Sequence, residues 1–265
     1  MELNKIYNED NISLISRMAD DFIDLTVTSP PYDNLRDYKG YTFDFETLAN
    51  ELYRVTKPGG VVVWVVGDAT VNGSETGTSF RQAIHFMDVG FNLHDTMIYE
   101  KSQTPFGSNL CYLQSFEYMF VLSKGKPKSI NLIRDRKNKR IGEESMSAGG
   151  LKVSGEKLHR VKKKMHELGK RKNIWRYGVG GGKTGHPAVF PYDLAKDHII
   201  SWSDKGDLVF DPFMGSGTTA VAALDVGRKY IGGEIAKEYV EIANERIKNH
   251  TTQTDIFDVL EGEEK

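Results

Sequence analysis

Thr28-Ser29-Pro30-Pro31-Tyr32 combines residue types suited to a flat ring that carries an amino group. Proline has a fixed φ and no N–H, and the residue before it is pushed to extended geometry, so Ser29 and Pro30 are held rigid. The Ser29 hydroxyl and Pro30 carbonyl can then point outward as hydrogen-bond acceptors with little freedom left to lose. Tyr32 adds an aromatic face beside them. Ser and Pro are also common turn residues, and taken alone the stretch is better read as a strand-ending turn.

A second stretch supplies what such a site needs. Leu208-Val209-Phe210-Asp211 has the pattern of a buried strand and runs into Pro212-Phe213-Met214-Gly215-Ser216-Gly217-Thr218-Thr219. Its two glycines permit a tight turn and close approach of the backbone to a ligand. The spacing predicts a helix over 218–226 and a next strand at Lys229-Tyr230-Ile231-Gly232-Gly233, with Glu234 at its end. A glycine-rich strand-to-helix turn, followed about 20 residues later by an acid at a strand end, suits a ligand with a ribose. The glycine spacing is not that of the dinucleotide fingerprint, and the glycines by themselves fit a plain β–α turn equally well.

Together the two stretches resemble the amino-group DNA methyltransferases that use S-adenosylmethionine. Ser29-Pro30-Pro31-Tyr32 matches their catalytic motif, and Asp211 to Thr219 matches their cofactor loop. The catalytic motif comes first, the order of the permuted beta subgroup. The resemblance covers residues 4–124 and 173–249. It implies that Ser29, Pro30, Pro31 and Tyr32 are catalytic, and that Asp211, Phe213, Gly215, Ser216, Gly217 and Thr218 hold the methionine end of the cofactor. Glu234 would then hold the ribose hydroxyls. Asp10 and Pro187, in His186-Pro187-Ala188, match further cofactor-lining segments, although Asp10 fits a helix cap as well and the His186 ring reads as structural. Serine at the first motif position is the family's commoner choice for cytosine, so the resemblance implies methylation of cytosine N4 in duplex DNA. Adenine N6 is the alternative, and a non-catalytic DNA-binding regulator that keeps the cofactor fold is a third reading. Double-stranded DNA is the implied partner, with room for a cognate restriction endonuclease acting separately.

Other chemistries fit poorly. Methylation of a cytosine carbon needs a thiolate, and the one cysteine, Cys111, sits in Leu110-Cys111-Tyr112, a core-like run. No Cys/His cluster has metal-ligand spacing. The segment from Gly178 to Thr184 lacks the G-x-x-x-x-G-K-[ST] spacing of a phosphate loop.

The elements that must position these residues alternate. A short strand at 6–10, a helix at 12–18, a strand at 24–27, a helix at 45–55 and a strand at 61–66 follow one another, with a polar loop at 33–41. A helix at 80–89 and strands at 93–99 and 116–122 come next, and a helix at 192–201 precedes the cofactor loop. This alternation predicts a doubly wound, mostly parallel α/β sheet, which the resemblance makes a Rossmann-like methyltransferase fold. Residues 1–122 would form its catalytic half and 173–249 its cofactor-binding half, ending in a packing helix at 238–247. Residues 250–265 read as a polar, fraying tail.

The net charge of −2 hides strong segregation. Residues 124–172 hold 17 of the 35 Lys+Arg but 5 of the 37 Asp+Glu, leaving the remainder net acidic. A solvated charged insertion is the bland reading of 123–172. Attached to such a core, it reads as the DNA-recognition insertion, with Lys162, Lys163 and Lys164 on a basic helix at 158–166 neutralising phosphates. No apolar run approaches the ~20 residues of a membrane span. The absence of a basic-then-apolar leader and the single cysteine predict a cytoplasmic protein.

Overall fold

Apolar β-branched runs between amphipathic stretches build the sheet, and they do so for the reason the spacing gives: strands covered on both faces need no polar alternation. The structure, a computed structural model, describes residues 1–31, 44–103, 112–146, 157, 162–179 and 190–262. In chain order the elements are β1 (Lys5–Tyr7), α1 (Asn11–Ser16), β2 (Ile23–Thr28), α2 (Phe45–Val55), β3 (Thr56–Val66), β4 (Thr70–Val71), β5 (Ser74–Glu75) and α3 (Thr78–Val89). They continue with β6 (Asn92–Lys101), β7 (Phe116–Ser123), β8 (Arg134–Lys137), β9 (Glu144–Met146), β10 (Lys162–Lys164) and β11 (Leu168–Lys170). The last are β12 (Ile174–Tyr177), α4 (Tyr192–Trp202), β13 (Leu208–Asp211), α5 (Thr218–Asp225), β14 (Lys229–Gly233) and α6 (Lys237–Gly262).

Eight strands form one sheet in the order β1-β14-β13-β2-β3-β7-β6-β12. The first five run parallel, β7 is antiparallel to both its neighbours, and β12 lies parallel to β6 at the edge. Every residue of β2 is buried, and Val61 to Val66 are at most 1% exposed. α2 covers one face with Leu48, Leu52 and Val55, all fully buried, at helical spacing. Each such side chain contributes about 1.5–3 kcal/mol of burial free energy. Asp44 caps this helix by accepting from Thr47 N at 3.1 Å. Trp64 and Phe86 pack edge-to-face within the same core, and the indole N–H donates to Gln82 Oε1 at 2.8 Å, so the buried polar tip is satisfied. The observed architecture is the mostly parallel α/β sheet that the alternation predicts.

The chain divides into two compact units, 1–131 with 173–265, and 132–172. The second unit begins at Leu132 rather than Ser123 for a structural reason. Ser123 is the last residue of β7, and Lys124 and Lys128 form ion pairs with Asp21, Asp24 and Asp207 of the first unit. In the second unit β8 pairs with β11 and β9 with β10, both antiparallel. Backbone bonds from Asn138 N to Glu167 O (2.9 Å) and from Gly142 N to Met165 O (3.0 Å) carry the ladder between them. The expected basic helix at 158–166 is corrected here: Lys162–Lys164 is a strand paired with Glu144–Met146, and 158–161 lie outside the described residues. α6 continues to Gly262, well beyond the 238–247 expected for the packing helix. No Gly or Pro interrupts it before Gly262. Among the described residues no helix is long and apolar enough to cross a membrane.

Candidate active site

From the β13/β2 boundary the chain winds outward in both directions, β2 to β3 on one side and β13 to β14 on the other. The carboxyl ends of these strands diverge there, which is where open α/β sheets bind ligands. The register aligns those ends. Asp211 lies opposite Gly232, Tyr7 opposite Gly233 and Thr28 opposite Trp64. The crevice is therefore bordered by Ser29-Pro30-Pro31 after β2, the 212–217 loop after β13, Glu234 after β14 and the Asn8 to Asp10 turn after β1.

Asp211 holds the crevice together. It is 5% exposed, and three donors converge on its carboxylate. Oδ1 accepts from Thr28 Oγ1 (2.7 Å) and Phe213 N (3.0 Å), and Oδ2 accepts from Thr219 Oγ1 (2.7 Å). The Thr28 bond joins the residue before Ser29 to the strand that carries the glycine loop. Gly217 has φ +81°, and a Cβ there would lie 3.0 Å from Ala243 Cβ of α6, so only glycine permits this approach. Arg246 of α6 fastens the same loop, donating from Nη1 to Thr218 Oγ1 (2.9 Å) and Ser216 O (3.3 Å). Glu234 Oε2 accepts from Gly215 N (2.9 Å) and Oε1 from Ala236 N (2.9 Å). Asn8 Nδ2 donates to the carbonyls of Glu234 and Ile235 at 3.0 and 2.9 Å, pinning that strand end.

The electrostatics are lopsided. Burial pushes the Asp211 carboxyl above the usual range despite its three donors. Glu234 is also raised, by burial first and then by the nearby Asp211 charge. Among the described residues neither forms an ion pair. Two carboxylates without a counter-cation make the crevice fit for a positively charged ligand.

The residues singled out from sequence fall as follows. Ser29, Pro30, Pro31, Asp211, Phe213, Gly215, Ser216, Gly217, Thr218 and Glu234 all border one crevice. Pro30, Gly215, Ser216 and Thr218 are buried, and Ser29 is half-buried. Asp10 lies at its rim as the N-cap of α1, its Oδ1 accepting from Ile12 N and Ser13 N. Tyr32, Pro187, His186, Cys111 and the 33–41 loop lie outside the described residues. Lys162 to Lys164 belong to the other unit, where Lys162 pairs with Glu144 at 3.2 Å and both are exposed. Asp68, at the end of β3, is committed to α3, accepting from Ser79 N and Oγ at 2.8 and 2.5 Å. Sequence reasoning missed Thr28, Asn8 and Arg246. Only Thr28 carried a signal, its position directly before Ser29.

Residues 23–245 match the DNA methylase family. The chain belongs to that family. Within it the methylase is similar to the orphan methyltransferase M.BamHII of Bacillus amyloliquefaciens, at 60% identity over 88% of this chain and 91% of the relative. Its fold resembles PvuII DNA methyltransferase, a cytosine-N4-specific enzyme, with a TM-score of 0.66 at 21% identity, covering 94% and 91% of the two chains. It also resembles M1.HpyAVI solved with S-adenosylmethionine, with a TM-score of 0.62 at 23% identity over 92% and 98%. The family is that of the amino-methyltransferases, in agreement with the motifs at 29–32 and 211–219.

Proposed function

We propose that this methylase transfers a methyl group from S-adenosylmethionine to the exocyclic N4 of a cytosine flipped out of a specific duplex DNA sequence. The buried Thr28–Asp211 bond carries the reading, because it fixes the Ser29 and Pro30 acceptors against the strand that bears the cofactor loop. When bound, the cofactor supplies a methyl group activated by a sulfonium. Asp211 and Glu234 give the crevice the negative charge that such a cation needs. Glu234 has used two of its carboxylate's roughly four lone-pair sites on backbone amides, which leaves capacity for ribose hydroxyls. Asp211 acts through Thr28, Thr219 and Phe213 as a positioning residue.

An exocyclic amine is a weak nucleophile because its lone pair is delocalised into the ring. Ser29 Oγ and the Pro30 carbonyl would accept its two N–H bonds, favouring a pyramidal nitrogen that can attack. That is positioning plus stabilisation of developing positive charge, with no covalent intermediate. A paired base cannot reach the crevice, so the nucleotide must leave the stack, with Tyr32 as its stacking partner. The basic 132–172 unit supplies the duplex contacts, and a two-stranded ribbon has the width to enter a major groove. A cognate endonuclease is not part of the proposal.

Mass analysis of nucleosides from DNA treated with the protein and S-adenosylmethionine tests this. N4-methylcytosine is the expected product. N6-methyladenine alone would overturn the cytosine assignment, since the same two acceptors serve either amine. No methylated base on any duplex would favour a non-catalytic regulator.

A further inference from the structure

In the β8–β11 ribbon Gly169 lies opposite Arg136 and Lys170 opposite Arg134, with a register shift between the two pairs. Residues opposite one another share a face of an antiparallel ladder, so Arg134, Arg136 and Lys170 stand together around a glycine. All three are exposed, and among the described residues none forms an ion pair. Arg171 nearby is different, its guanidinium spent on Asp135 at 2.6 Å. Arg136 alone of the three is seated. A Cβ added to Gly169 would lie 2.5 Å from Arg136 Nη2 and 3.0 Å from its Cζ, so the guanidinium occupies the space a side chain would fill. Its Nε donates to Lys170 O at 3.3 Å. Asn138, held by a bond from Nδ2 to His166 O (2.8 Å), closes the seat with Oδ1 2.9 Å from the same point. Gly169 is buried and has no positive φ, so what the glycine provides is room for Arg136 rather than a turn.

We propose that Arg136 reads a guanine of the target duplex, an inference that rests on the reading above that the chain acts on a specific duplex sequence. A guanidinium with one N–H spent on the backbone and its plane fixed has little freedom left to lose on binding. Its two Nη groups keep the fork that matches O6 and N7 of guanine in the major groove, and a two-stranded ribbon fits that groove. A lysine in the same place would be a point charge without that geometry. Arg134 and Lys170 have no such seat, and they suit the phosphates on either side, which position the duplex without reading it. The register shift falls at this point of the ribbon, and a bulge is a device that re-aims a side chain. The seat therefore separates one reader from the cations that only neutralise.

Selection of bound duplexes from a randomised pool by the full chain, repeated with Arg136→Lys and Gly169→Val, tests the proposal, and it reads binding whichever amine is methylated. The wild type should select at least one fixed guanine. Arg136→Lys keeps the charge and loses the fork, so the preference at one guanine should fall about 5- to 150-fold. Preferences at the other positions and the salt dependence should stay as they are. Gly169→Val should have the same effect by unseating an intact arginine. A guanine analogue with carbon in place of N7, set at that position, should weaken the wild type and leave Arg136→Lys unaffected. Thermal unfolding checks each fold, and should Gly169→Val fail to fold, the analogue comparison carries the test. An Arg136→Lys variant with every preference intact, or one that weakens all duplexes equally, overturns the proposal and leaves the specific-duplex reading standing. A wild type that selects no sequence overturns both.

Discussion

Glu234→Gln separates the two things this carboxylate does. In the free protein each oxygen accepts one backbone N–H, from Gly215 and from Ala236, both at 2.9 Å. Glutamine keeps one acceptor and sets an NH₂ against the other amide. The fold should tolerate this. Burial and the Asp211 charge already raise the Glu234 carboxyl, so ionisation is disfavoured in the folded chain and a neutral side chain relieves part of that cost. We expect a net loss of about 1 kcal/mol or less in unfolding free energy, because relief of the buried charge offsets much of the charge-assisted bond that is lost. Cofactor binding should suffer more, because the proposed bond from Glu234 to the ribose is charge-assisted. At ~1.5–3 kcal/mol the dissociation constant rises by about 10- to 150-fold. Calorimetric titration with S-adenosylmethionine, beside urea unfolding, reads both numbers. The pH dependence must agree. Binding needs the ionised form, so affinity should fall on acidification at a pH above the usual glutamate range. A variant with unchanged cofactor affinity and an intact fold removes Glu234 from the site. A variant that loses stability and affinity in equal measure shows that it only supports the loop.

Arg246→Met removes the bonds that Arg246 makes to Ser216 O and Thr218 Oγ1 at the glycine loop, and on the proposed function the KM for cofactor should rise about 10-fold, or 1.4 kcal/mol, with kcat nearly unchanged; Arg246→Lys should recover part of it. Steady-state kinetics check this, and a fall in kcat alone refutes it. His198 is fully buried, its ring 4.6 Å from that of Trp175 and its Nε2 3.2 Å from Met119 Sδ, and burial holds its pKa at about 3. The unfolded chain binds this proton near pH 6.5 and the folded chain does not. Stability should therefore be complete above about 6.5 and fall by ~1.4 kcal/mol per pH unit between there and 3. Urea unfolding at pH 7.5 and 5 should differ by about 2 kcal/mol from this residue, and a His198→Leu variant with the same slope would show that another group is responsible. Replacing Lys162, Lys163 and Lys164 with Ala should lower the salt dependence of duplex binding, by up to about three units of slope if all three contact phosphate, with cofactor affinity constant. An unchanged slope in a salt titration moves duplex contact elsewhere.

Much of the sheet was legible because its strands are local. Leu208–Asp211 and Lys229–Gly233 were bounded to the residue, since each is a short apolar run closed by turn residues. α2 announced itself by the spacing of Phe45, Leu48, Leu52 and Val55. β3 was read short. Pro58, Gly59 and Gly60 look like a turn, but they lie within a strand that begins at Thr56, beside a register shift against β2 that absorbs them. The basic unit was misread for a different reason. Lys162–Lys164 has no apolar period to reveal its state, and its conformation is set by pairing with Glu144–Met146, a partner that local pattern cannot name.

The site was legible by residue type and not by bonding. Asp211 reads from sequence as a group that touches the cofactor, yet its oxygens are occupied by Thr28, Thr219 and Phe213. The Thr28 hydroxyl lies 183 positions away along the chain, and in a strand this β-branched residue reads as no more than a β-former. Its burial changes what the carboxylate can do. An acid so enclosed cannot readily turn toward a ligand, but it can hold Ser29 and the glycine loop at a fixed separation. The same enclosure raises Asp211 and Glu234 together, so the free protein carries two acids in an environment that disfavours their charge. A cation entering the crevice would lower both. Cation binding therefore depends on the ionised acids, which predicts that the ligand stabilises the fold more at neutral pH than after acidification has protonated the pair.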